Sequence, residues 1–114
     1  MRREYGKLIR DKIPEIIEAA GKRYGVGVLE EAAYREALAA KLVEEGQEVA
    51  AAVGLGTRQE QVKELADVYE VLDALLTATG ITHEEVAAVQ AARHKERGGF
   101  AKRLWLLWVE ADEG

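Results

Sequence analysis

Two long helical stretches face each other across a glycine turn, and this arrangement limits the chain more than any other feature. From about Glu30 to Val53, the apolar residues Tyr34, Leu38, Leu42, Val49 and Val53 recur at helical spacing. A second stretch runs from about Thr57 to Thr79, with apolar residues from Val62 to Leu76 and a stop at Gly80. Thr57 with Glu60 has the form of a capping box. Gly54-Leu55-Gly56 lies between the stretches and predicts a reversal near residue 56. The two helices should therefore form an antiparallel hairpin.

That hairpin has chemical consequences. Glu45 and Glu48 precede the turn, and Glu64 and Asp67 follow it at mirror positions about residue 56. Glu48 should lie level with Glu64, and Glu45 with Asp67. Each residue turns a helix by about 100°. With Glu45 at zero, Tyr34, Leu38, Leu42 and Val49 fall between about -20° and 60°, and Glu48 at about -60°. With Glu64 at zero, Val71, Leu75 and Val68 fall between about -20° and 40°, and Asp67 at about -60°. Each helix thus carries one acid inside its apolar stripe and one at the rim. Glu70 and Asp73 turn away and read as mainly solvated. Converging carboxylates are costly without a cation, and all-oxygen ligation favours Mg2+ or Mn2+ over zinc.

The charge layout supports that reading. The net charge is -5, but residues 1–23 carry +3, residues 24–92 carry -9 and residues 93–103 carry +4. An acidic middle between basic ends suits a polyanion held through a cation. Cysteine is absent, which removes disulfides and thiolate metal sites and points to a reducing cytoplasm. The chain also lacks serine, so nucleophilic triads built on serine or cysteine are excluded. No apolar run reaches the roughly 20 residues of a membrane span, and Met1 to Tyr5 does not read as a secretion signal. Nucleic-acid binding is disfavoured, because the basic residues are split by the acidic middle and lack interleaved aromatics.

The remaining segments complete a mainly α expectation for one domain over residues 1–114. A short helix is predicted over Ile9 to Ala20, with Pro14 early and Gly21 as its stop. Thr82 with Glu85 predicts a capped helix lasting to about Arg97. A small β element is expected at about 25–29 and at about 100–109, the latter apolar on both faces. His83 sits at a helix start and reads as structural or exposed, and His94 adjoins a basic run. Apolar faces on residues 57–79 and on Trp105 to Val109 call for a partner.

Four stretches also resemble a family. Glu44-Glu45-Gly46-Gln47-Glu48 has the form EExxE, and Glu64-Leu65-Ala66-Asp67 has the form ExxD. Together they are similar to the metal-binding signature of MazG-like, all-α nucleoside triphosphate pyrophosphohydrolases, a superfamily that includes phosphoribosyl-ATP pyrophosphohydrolases. Tyr5 to Glu15 and Lys95 to Phe100 resemble the opening and closing motifs of a small MazG-like branch. The resemblance implies Mg2+-dependent hydrolysis of a nucleoside triphosphate to monophosphate and pyrophosphate, of a house-cleaning kind, or the phosphoribosyl-ATP reaction. It also implies a four-helix-bundle core completed by a second subunit, as a homodimer or homotetramer.

Carried over, Glu45, Glu48, Glu64 and Asp67 would be ligands. Glu44 would serve a second ion or orient water, and Glu48 or Glu44 would activate that water. Lys7, Arg10, Lys12, Lys95 and Arg97 would contact phosphates, with Gly98 and Gly99 offering backbone N–H groups. Longer members carry a tryptophan-bearing segment before the first helix. This chain has the basic motif there, so no base preference carries over. Two rival expectations stand beside catalysis: a helical dimer that binds nucleotide or metal without turnover, and a structural assembly whose acids form ion pairs.

Overall fold

A computed structural model describes residues 2–111. Among them the chain forms four helices: α1 (Ile13–Ala19), α2 (Glu31–Leu55), α3 (Arg58–Thr79) and α4 (His83–Arg97). No described residue is in a β-strand. The chain divides into two compact units, residues 1–81 and 82–114.

In the first unit, α2 packs against α3 as the predicted hairpin. The reversal is tighter than the sequence implied. α2 continues through Gly54 to Leu55, leaving only Gly56 and Thr57 between the helices. Gly56 closes α2 by donating its N–H to the Ala52 carbonyl at 2.8 Å. A Cβ there would come within 2.8 Å of that carbonyl oxygen and 3.0 Å of the Ala52 Cα, so the close return requires glycine. The Thr57 hydroxyl then accepts from the Glu60 N–H at 3.2 Å and caps α3. Gly80, with φ of +71°, ends α3.

The buried apolar residues, Leu38, Ala52 and Val71, lie on this hairpin. α3 also carries a second apolar row. Val62, Leu65, Tyr69 and Leu72 recur three or four residues apart and stay exposed, Tyr69 at 70%. One side of α3 therefore meets α2, while an adjacent apolar side is uncovered.

α1 begins four residues later than expected. Proline is tolerated only in a first turn, since deeper in a helix it removes a hydrogen bond and clashes with the preceding turn. Pro14 thus fixes the start at Ile13, and residues 9–12 belong to the preceding segment. At the other end, Lys22 donates to the Ile17 carbonyl and Gly21, with φ of +76°, to that of Glu18. These two bonds form a Schellman closure.

In the second unit, α4 shows the full capping box: the Thr82 hydroxyl accepts from the Glu85 N–H, and the Thr82 N–H donates to the Glu85 carboxylate, each at 3.1 Å. Gly98, with φ of +79°, ends the helix.

The expected β element is corrected. Residues 25–29 and 100–109 form no strand. Val28 is 99% exposed and Trp105 86%. A strand is defined by a ladder with a neighbour, and apolar alternation supplies side chains for a sheet without supplying that neighbour.

Candidate metal centre

α2 and α3 bring Glu45, Glu64 and Asp67 together, each offering an oxygen within 4.8 Å of the other two. The order of exposure follows the helical angles. Glu45 and Glu64, inside the apolar stripes, keep 13% and 15% of their side-chain surface in solvent. Asp67, at a rim, keeps 28%. Glu48, at the other rim, is exposed and is not among the three. The expected four-carboxylate set is therefore a group of three with Glu48 outside it.

The electrostatics have one clear signature. Burial raises the Glu45 carboxyl above its ordinary value, and the charge on Asp67 raises it further, with smaller contributions from Glu44 and Glu64. Lys41 opposes the shift from 3.9 Å. These acids repel one another in a partly dry place, where a divalent cation would relieve both the repulsion and the desolvation. The all-oxygen donor set fits Mg2+ or Mn2+ and is consistent with binding a divalent metal.

A cleft of about 630 Å³ borders this group, lined by residues 8–12, α2 and α3. Glu45 and Asp67 form part of its wall, together with Tyr34, Leu38 and Val71. Glu70 and Asp73 are exposed, as expected of solvated acids, yet they also border the cleft.

The basic residues have distinct places. Arg10 reaches the acidic group directly, its Nη2 donating to Asp67 Oδ1 at 2.6 Å. Lys12 lies at the start of α1 and lines the cleft. Lys7 sits 5.5 Å from the centre of the Tyr5 ring. Lys95 and Arg97 occupy the last turn of α4, in the second unit, followed by Gly98 and Gly99. Gly99 packs beside His94, where a Cβ would stand 3.1 Å from the imidazole Cε1.

Sequence reasoning missed Lys41. It lies 3.4 Å from both carboxylate oxygens of Glu44 as well as near Glu45. Its spacing three and four residues before two glutamates was the available signal. The Arg10–Asp67 bond joins residues 57 apart and had no local signal.

An all-α chain with a helical hairpin carrying clustered carboxylates defines a helical protein suited to a divalent cation. Residues 3–94 match the sequence model of the phosphoribosyl-ATP pyrophosphohydrolase family. That span includes both acidic motifs and most of α4, and the chain belongs to this family of phosphoanhydride hydrolases. No curated protein and no solved structure matches the chain.

Proposed function

We propose that this protein is a Mg2+-dependent pyrophosphohydrolase that cleaves the bond between the α- and β-phosphates of a nucleoside triphosphate. Phosphoribosyl-ATP, the substrate that the family's description names, is the first candidate. The observation that carries this reading is the convergence of Glu45, Glu64 and Asp67 beside a cleft in a chain of this family.

In this reading, Glu45, Glu64 and Asp67 hold Mg2+, with Glu48 and Glu44 completing or extending the set. The bound ion supplies Lewis-acid charge to the phosphate oxygens. Glu48 or Glu44 orients the attacking water and takes its proton, while an oxygen–phosphorus bond forms at the α-phosphate. The bond to the β-phosphate breaks in line, giving a monophosphate and pyrophosphate. Lys7, Arg10 and Lys12 offset charge on the departing pyrophosphate. A homodimer or homotetramer covers the apolar row on α3.

A second reading, a broader house-cleaning activity on standard or altered nucleoside triphosphates, is favoured by the resemblance of Tyr5 to Glu15 to the opening motif of a small MazG-like branch. One assay separates the readings: pyrophosphate release from phosphoribosyl-ATP and from a panel of NTPs and dNTPs, with and without Mg2+. Turnover should require Mg2+ and fall at least about 10²-fold in Asp67→Ala and Glu48→Ala. Undiminished turnover in both variants would sink the mechanism. Tight nucleotide binding with no pyrophosphate from any substrate would instead indicate a binding module.

A further inference from the structure

Arg10 sits at the mouth of the acidic group, on the segment that precedes α1. The Arg10 side chain remains 58% exposed, so packing does not lock it there. Its neighbours Leu8 and Ile9 are half-buried and border the same cleft. The segment is thus anchored by apolar side chains, while its charged head rests on a carboxylate that the metal reading needs.

Two cations compete for that carboxylate. Arg10 occupies Oδ1 of Asp67, one of the two oxygens that this carboxylate could offer to a metal. Two positive groups at contact distance from one carboxylate repel each other. A guanidinium displaced from a carboxylate also has an equivalent partner within the same chemistry, because its planar fork fits phosphate as well as carboxylate.

We propose that Arg10 is an exchangeable counter-ion. It neutralises Asp67 when no divalent cation is held, and it transfers to a nucleotide phosphate when one binds. This rests on the reading of Glu45, Glu64 and Asp67 as a metal site. Its consequence is a linkage: the ion that assembles the site also releases the arginine that engages the substrate, and the coupling is reciprocal.

Mn2+ binding without nucleotide, followed by the electron paramagnetic resonance signal of the free ion, tests this. Arg10→Gln should bind Mn2+ about two- to fivefold more tightly than the wild type, the scale of an exposed ion pair. Lys12→Gln removes the same charge two residues further on and should produce less than half of that gain. Unchanged or weaker binding in Arg10→Gln, or an equal gain in Lys12→Gln, overturns the proposal. The wild-type protein gives a second readout that does not depend on a variant's folding. The Arg10 Nε–H nuclear magnetic resonance signal, assigned by its loss in Arg10→Lys, should shift along the same Mg2+ titration curve as the Asp67 amide. An unmoved arginine signal while that amide saturates also overturns it. Absence of Mn2+ binding in every variant overturns the metal reading and this proposal together; binding indifferent to Arg10 overturns this proposal alone.

Discussion

Glu45 is the residue on which fold and chemistry disagree most. Its carboxyl is raised above the ordinary value of 4.5, first by burial and then by Asp67. A raised acid favours the fold when protonated. Its contribution is present below the ordinary value and is lost as pH rises through the elevated one. At neutral pH the ionised Glu45 therefore weakens the metal-free protein. Glu45→Gln should melt at a higher temperature than the wild type at pH 7 without Mg2+, and the difference should disappear in acid. The same variant should gain less from added Mg2+. Thermal scans at two pH values with and without the ion check both halves; a lower melting temperature at pH 7 would contradict the argument. Side-chain burial was legible here because helix angles depend only on residue spacing. The Arg10 contact was not, because spacing along a helix says nothing about a segment 57 residues away.

At the scale of elements, the reversal and the caps are the sensitive points. Gly56→Ala would place a methyl group against the Ala52 backbone, which cannot swing aside as a flexible side chain would. A cost of about 1–3 kcal/mol is expected, as for overpacking elsewhere, read as a lower urea midpoint. Thr82→Ala removes one half of the capping box and should cost about 1 kcal/mol, visible as faster amide exchange over the first turn of α4. Helix ends were readable in advance because glycine, proline and threonine act on their immediate backbone: Thr57, Gly80, Thr82 and Gly98 stand where the sequence put them. The β expectation failed for the converse reason. The run Leu104 to Val109 has a strand's composition, but pairing is a property of two segments, and composition reports on one.

For the molecule as a whole, no helix among the described residues is long and apolar enough to cross a membrane. Under the proposed oligomeric reading, the uncovered row on α3 meets a second subunit. Tyr69→Glu, at the most exposed position of Val62, Leu65, Tyr69 and Leu72, should shift the protein toward monomer in sedimentation equilibrium. A wild-type protein that is monomeric at micromolar concentration would refute that assignment. Metal should act on the whole molecule as well: Mg2+ at 100 times its dissociation constant should add about 2.7 kcal/mol to stability by mass action. A melting temperature indifferent to Mg2+ would favour the structural reading of the acids.

The two-residue link between α2 and α3 makes the acidic centre a matter of counting. Glu45 meets Glu64 and Asp67 because fixed numbers of residues separate them from Gly56 and Thr57. Adding one residue between Glu48 and Gly56 would swing Glu45 by about 100° and slide it about 1.5 Å, with every carboxylate still present. A scan of single insertions should therefore find metal binding lost for every insertion between Glu45 and Asp67 that changes their register. What the hairpin stores at its centre is a length, and a frame slip of one residue would erase it as surely as removing an acid.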